Sequence, residues 1–320
     1  PGPHLQTLWP ALARRRPALA LAGERVELPD GDFIDLSWSR RRRGPIVLVL
    51  HGLEGNLRSH YAASLMAALE HAGFRPVFMH LRGASGEPNR LPRSYHSGAS
   101  EDLRQILAHL EHTDRPPWAG VGFSLGGNLL LKYLGENARD ARVSVAVAVS
   151  VPFALGDCAK RLETGLSRLY QRHLLERLRR SYQRKFSQMP SPLRVRIDRL
   201  RTFRQYDAAV TAPLNGFAGV DDYYGRCSSR QFLRTIETPT LILHAQDDPF
   251  MYPSTVPSAD ELGPGVVLEL AQRGGHVGFV AGRRPWRPDY WLERRITGFL
   301  TDACSDRAEP ESDARWVVHR

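Results

Sequence analysis

The stretch Val121-Gly122-Phe123-Ser124-Leu125-Gly126-Gly127 constrains this chain more than any other. A short apolar run, Ala119 to Phe123, stops at Ser124, and a helical pattern, Leu125 through Leu134, starts directly after it and is expected to end at Gly135. Strand, serine, helix is the context in which Gly-x-Ser-x-Gly predicts a nucleophile elbow, with the serine at the tip of a turn too tight for ordinary backbones. Gly122 and Gly126 remove side chains that would collide there, and Gly127 lets the helix lie close to its sheet. The helix N-terminus then places positive potential near a developing oxyanion. A glycine-rich turn that merely contains a serine would look the same, so other segments have to separate the two readings.

Around this junction strands and helices alternate. Ile46 to Leu50 is a continuous apolar run of the kind buried on both faces of a sheet. A helix is expected near Tyr61–Ala72, closed by Gly73, and a strand over Pro76 to His80. Ser100-Glu101-Asp102 reads as a helix start with acids in its first turn, and Ser144 to Ser150 as another buried strand. Upstream, Glu24–Leu28 and Phe33–Trp38 flank Pro29-Asp30-Gly31-Asp32 and read as a hairpin. The pattern predicts an α/β fold with a mostly parallel central sheet, helices on both faces and right-handed crossovers.

Two regions depart from it. The opening, Pro3-His4-Leu5-Gln6-Thr7 with Arg14-Arg15-Arg16, shows no clear periodicity and is expected to wrap the surface. From Cys158 to Leu233 no buried strand is evident. Arg- and Leu-rich helical stretches (Leu166–Lys185) are interrupted by Pro190 and Pro192, and aromatics follow at Phe203, Tyr206, Phe217, Tyr223 and Tyr224. We read this as a helical cap inserted over the C-terminal edge of the sheet. Alternation resumes with Thr240–His244, Val266–Leu270 and a closing helix near Pro288–Leu300. The expected organisation is a core over 1–157, a basic cap over 158–235, core again over 236–300, and a polar, mobile tail over 301–320.

The net charge of +10 suggests nucleic acid until its distribution is read. Lys160 to Arg204 holds fourteen Lys and Arg against three acids, and this segment carries the whole excess. A solvated helical face, a cap that docks on anionic lipid or attracts acidic substrates, and a nucleic-acid surface all fit that count; the last lacks any recognisable motif and is not expected. Cys158, Cys227 and Cys304 form neither a disulfide framework nor a metal-ligand set. With no secretory signal or membrane-spanning run evident, a cytoplasmic setting is expected.

A nucleophilic serine needs a base, and the base needs an acid to orient it. Both are sought, acid before base, on loops after later strands. Gln272-Arg273-Gly274-Gly275-His276 supplies His276, carried by a glycine-rich loop after the last strand. Ala245-Gln246-Asp247-Asp248-Pro249 supplies the acid; Asp248 is favoured, one residue further beyond the strand end, while Asp247 caps the turn. For the oxyanion hole the expected backbone donors are the N–H groups of Leu125 and of Leu53, in the His51-Gly52-Leu53 turn; His51 shapes that turn. The Arg82–Asn89 loop either shapes the pocket mouth or serves as a rigid connection.

Taken in order, Pro3-His4-Leu5-Gln6-Thr7, His51-Gly52-Leu53-Glu54-Gly55, His80-x-Arg82-Gly83-x-Ser85-Gly86-Glu87-Pro88-Asn89, Tyr95-His96-Ser97-Gly98, Gly122-Phe123-Ser124-Leu125-Gly126-Gly127-Asn128, Asp247-Asp248-Pro249-Phe250 and Gly274-Gly275-His276-Val277-Gly278-Phe279 resemble the YheT-like branch of the α/β-hydrolase family, which is related to the eukaryotic abhydrolase-domain 1 and 3 lipases. The resemblance runs to about Leu300 and implies that fold, a triad of Ser124, Asp248 and His276, and esterase activity on short- or medium-chain acyl esters. No metal or organic cofactor is called for, and the expected partner is a small-molecule ester, with peripheral anionic lipid against the basic cap. The same groups would serve a thioesterase or acyltransferase. A non-catalytic lipid-binding module is the alternative from outside enzymes.

Overall fold

The computed structural model describes residues 2–284 and 287–305. Eight strands form the sheet: β1 (Leu21–Glu27), β2 (Phe33–Ser39), β3 (Ile46–Leu50), β4 (Arg75–Met79), β5 (Ala119–Phe123), β6 (Val145–Val149), β7 (Thr240–Ala245) and β8 (Val266–Ala271). They pair as one eight-stranded sheet in the order β1-β2-β4-β3-β5-β6-β7-β8. From β4 across to β8 every pairing is parallel; the β1–β2 hairpin adds an antiparallel edge. Every residue of β3, β5, β6 and β7 is buried, as expected of strands covered on both faces.

Helix α1 (Pro3–Ala13) precedes the sheet, and α2 (Ala62–His71), α3 (Ser100–His112) and α4 (Leu125–Asn137) are its crossovers. On one face Leu103, Ile106 and Leu107 of α3 pack with Leu129 and Leu130 of α4. On the other Leu65, Met66 and Leu69 of α2 pack with Leu292, Ile296 and Leu300 of the last helix. Between β6 and β7 lie α5 (Leu155–Leu162), α6 (Ser167–Phe186), the four-residue α7 (Phe203–Tyr206), a π-helical turn over Asp207–Thr211, α8 (Ala212–Leu214) and α9 (Val220–Cys227). These pieces share their own apolar centre, with Leu162, Leu175, Phe203, Tyr206 and Tyr223 in it, whereas Leu233 and Ile236 already belong to the α3/α4 face. The chain then adds a β9 (Val280–Arg284) and β10 (Arg287–Tyr290) ribbon before α10 (Trp291–Ser305).

Three expectations need correction. The opening segment is a helix, and its periodicity is hidden because the face it buries is Gln6, Thr7 and Pro10 while Leu5, Leu8 and Leu12 point outward. Pro288 stands in β10 rather than at a helix start, and α10 runs past Thr301 to Ser305 because Phe299, Leu300 and Ala303 still pack on the sheet face. The rest of the expected tail, 306–320, lies outside the described residues. Gly135 does not end α4: a Cβ there would meet the Phe232 carbonyl oxygen at 2.2 Å, so the residue is glycine for close packing. Among the described residues no helix is long and apolar enough to cross a membrane.

Candidate active site

Ser124 stands between β5 and α4 at φ 50° and ψ −117°, a backbone that L-residues rarely hold. The turn closes only because its neighbours have no side chains. A Cβ on Gly122 would lie 2.5 Å from the Gly126 carbonyl oxygen, and one on Gly126 would lie 2.5 Å from that of His51. Ser124 N–H donates to the Val149 carbonyl (2.8 Å), which ties the tip to β6.

The loop after β8 brings His276 to this tip. His276 Nε2 lies 3.0 Å from Ser124 Oγ, and Nδ1 lies 2.8 Å from Asp248 Oδ2. With Nδ1–H donating to a carboxylate, Nε2 presents its lone pair to the serine hydroxyl. Asp248 is buried, and its other oxygen accepts from Phe250 N–H at 2.8 Å. The Phe250 ring stacks on the His276 imidazole, with centroids 3.9 Å apart and planes 4° from parallel.

The backbone around His276 is strained, with Gly275, Val277 and Phe279 all at positive φ. It is held by side chains from four other places in the chain. Asp247 Oδ1 accepts from Gly274 N–H (2.8 Å) and Gly275 N–H (2.9 Å), so Asp247 caps the histidine loop and not its own turn. Thr7 Oγ1 accepts from His276 N–H at 2.9 Å, and Ser150 Oγ from Val277 N–H at 3.0 Å. The Gln6 amide brackets Val280, accepting from its N–H (2.7 Å) and donating to its carbonyl (3.1 Å). His60 Nε2 lies 3.2 Å from the Val277 carbonyl; burial pushes its pKa down to about 4, so the ring is neutral there. Of these residues only Asp247 was singled out as a candidate from its position in sequence. Gln6 and Thr7 sit inside the Pro3–Thr7 motif, which was the available signal.

The His51-Gly52-Leu53 turn passes directly over the serine, since a Cβ on Gly52 would come within 3.1 Å of Ser124 Cβ. Its donors are mostly taken. Gly52 N–H donates to the Tyr61 hydroxyl (2.9 Å), Glu54 N–H to the Tyr95 hydroxyl (2.8 Å) and Gly55 N–H to the Gly52 carbonyl (2.9 Å). Among the described residues no hydrogen bond engages Leu53 N–H or Leu125 N–H. His51 is fully committed to the turn: Nε2 accepts from Leu81 N–H (3.0 Å) and Nδ1 donates to the Gly52 carbonyl (2.7 Å). Burial pushes its pKa down to about 4, so it stays neutral.

Above the serine opens a cavity of about 660 Å³, lined by Leu53, Ser124 and Leu125 below and by α5, α6 and the 203–214 segment above. The Arg82–Asn89 loop does both things weighed for it. Several of its residues line the cavity, and buried Arg82 anchors it, pairing with Asp102 (2.6 Å) and Asp32 (2.8 Å). Asn89 joins the same group by donating to Asp32 at 2.6 Å.

Comparison with known proteins agrees with the fold. A family model described as alpha/beta hydrolase fold matches residues 45–282. The chain is 44% identical over 306 residues to the Escherichia coli (strain K12) protein called "Putative esterase YheT", covering 93% of this chain and 90% of that one. It is 30% identical over 310 residues to the Mus musculus protein called "Phospholipase ABHD3", covering 92% of this chain and 75% of that one. Among solved structures the Pyrococcus furiosus esterase Pf2001 is similar in fold, with a TM-score of 0.58 at 15% identity over 90% of this chain and 98% of that chain.

Proposed function

The chain belongs to the α/β-hydrolase family, and from that premise we propose that it is a serine hydrolase of carboxylic esters acting through an acyl-serine. One observation carries the reading: the hydrogen-bonded run Ser124 Oγ, His276, Asp248 opens on the cavity. His276 Nε2 takes the Ser124 proton as the hydroxyl oxygen attacks the ester carbonyl, while Asp248 holds Nδ1–H and stabilises the imidazolium. The carbonyl oxygen, now negative, is received by the free N–H groups of Leu53 and Leu125 at the N-terminus of α4. His276 then protonates the leaving alcohol, and water repeats the cycle to release the acid.

The substrates proposed are short- to medium-chain acyl esters, acylglycerols and related lipid esters, admitted beneath a cap formed by 158–235. Exposed Leu166 and Leu169 at the start of α6, beside exposed Arg168 and Arg172, favour peripheral contact between this cap and anionic lipid. A thioester, or an acyl acceptor other than water, would use the same groups. A chain-length series of p-nitrophenyl esters and monoacylglycerols tests the reading. Turnover of short and medium chains in preference to long ones is expected, and a folded protein inert toward the whole series would overturn it.

A further inference from the structure

The walls of the cavity differ in charge. One, from α5 and the 203–214 segment, is mostly apolar, with Leu155, Leu162, Phe203, Val210 and Leu214 beside a single carboxyl, Asp207. Another part of the lining is the C-terminal half of α6 with the loop after β3, and it carries Arg58, Arg177, Arg180, Arg184 and Lys185. On α6 Leu174, Arg177, Ser181 and Arg184 recur at three- and four-residue steps, which stacks them along one side of the helix, and all four line the cavity.

These cations are poorly neutralised. Among the described residues no carboxylate lies within ion-pair distance of Arg58, Arg177 or Arg184, and Arg180 reaches Glu176 only at 3.9 Å. Arg177 donates to a neutral acceptor, the Glu54 carbonyl, one residue beyond Leu53. Buried Lys185 likewise donates to the Asn89 side-chain oxygen and the Arg93 carbonyl, both at 2.5 Å. Among the described residues two carboxyls line the cavity in return. Glu54 is occupied by the Tyr95 hydroxyl (3.1 Å) and Ser181 Oγ (2.8 Å). Asp207 bonds Thr211 and Tyr224 and is pushed up to about 6 by desolvation, so it is only part-ionised near that pH.

A partly enclosed cleft with an excess of one sign concentrates ligands of the other. Guanidinium groups are shaped for the paired oxygens of phosphate and carboxylate. From these features together we infer that the ester hydrolysed here carries an anionic group, phosphate or carboxylate, on its alcohol portion. That group lies against Arg58, Arg177 and Arg184 while the acyl chain follows the apolar wall. Arg177 is the closest of the three to the chemistry because it grips the turn that supplies Leu53 N–H. The basic stretch of the sequence thus becomes a specificity element. The inference rests on the hydrolase reading for its orientation toward Ser124, though not for the anion site itself.

The test uses three matched butyryl esters: 1-butyrylglycerol, 1-butyrylglycerol 3-phosphate and 3-(butyryloxy)propanoate. In low salt kcat/KM for the charged esters should exceed that for the neutral one by about tenfold or more, and the ratio should shrink as salt rises. Arg184→Gln and Arg177→Gln should pull that ratio toward one. Phosphate preferred over carboxylate, or the reverse, identifies which anion the wall receives. Calorimetric titration of Ser124→Ala with the same esters reads binding without turnover and should show the same order. Equal binding and equal kcat/KM for charged and neutral esters would overturn the inference while leaving the hydrolase reading intact. Charge-selective binding with no hydrolysis of any ester would instead keep the anion site and remove the hydrolase reading.

Discussion

Below Ser124 the strands β3, β5, β6 and β7 are buried at every residue, and the loops at their ends carry Ser124, Asp248 and the Leu53 turn. Above it, α6, the longest of the described helices, buries only Ser167, Gln171, Leu175 and Lys185 of its 20 residues, and its neighbours are a few turns each. The lower region is fixed by continuous apolar contact; the upper one has a smaller apolar centre of its own and polar ties to the region below. Asn128 donates to the Ser97 and Cys227 carbonyls, Tyr223 donates to Ser97, and Ser181 donates to Glu54. A reacting geometry set to tenths of an ångström belongs on the rigid part. A wall that selects among substrates can be reshaped without disturbing it. The two regions should therefore respond differently to substitution.

The largest effects belong to the lower region and to kcat. Replacing His276 with Ala should lower kcat on a simple ester by about 10⁴-fold or more with an unchanged unfolding transition. Asp248→Asn should cost about 10³–10⁴-fold, because the neutral amide no longer fixes the imidazole tautomer. Asp247→Asn separates the two carboxylates: a smaller kcat loss is expected, with destabilisation of about 1–3 kcal/mol from weakened acceptance of two loop N–H groups. Equal kcat losses at the two positions would break the assignment of their roles.

Next comes the contact between α1 and the histidine loop. A Cβ on Gly278 would lie 2.2 Å from the Gln6 carbonyl oxygen, so Gly278→Ala should destabilise by about 2–4 kcal/mol in denaturant titration and lower kcat with it.

In the upper region the expected effect is on stability and its pH dependence. Asp207 titrates near 6, above the ordinary carboxylate value, so the folded state holds its proton more tightly than the unfolded chain does. That contribution is complete at acidic pH and is lost as pH rises through 6. Asp207→Asn keeps an uncharged group there, so relative to the parent it should gain about 1–2 kcal/mol between pH 5 and pH 8, read from thermal unfolding at both. A constant difference across that range would remove the titration from the account. The smallest effect is Thr7→Val, which deletes the acceptor for His276 N–H and should cost about 1 kcal/mol with a several-fold drop in kcat.

The same contrast decides what could be read from the chain. Buried parallel strands such as β5 and β7 print themselves as unbroken apolar runs, and the residues that meet sit directly after β5 (Ser124) or on the loops that follow β7 (Asp248) and the edge strand β8 (His276). Helix α1 was missed because it is turned inside out relative to the usual pattern, with leucines outward and Gln6 and Thr7 buried. The cap of Asp247 on Gly274 and Gly275 spans 27 and 28 residues of sequence, and no local rule links such partners. In the upper region the basic excess was plain, but the separation of its cations from acids is a property of how α6 faces the cavity. Composition counts charges without placing them.

The central claim is that Ser124 is an activated nucleophile. Intact-protein and peptide mass spectrometry after treatment with a fluorophosphonate tests it directly. The account predicts one adduct per chain, on Ser124, formed far more slowly in His276→Ala and absent in Ser124→Ala. A folded protein that stays unlabelled across the pH range, or that carries the adduct on another residue, would contradict it.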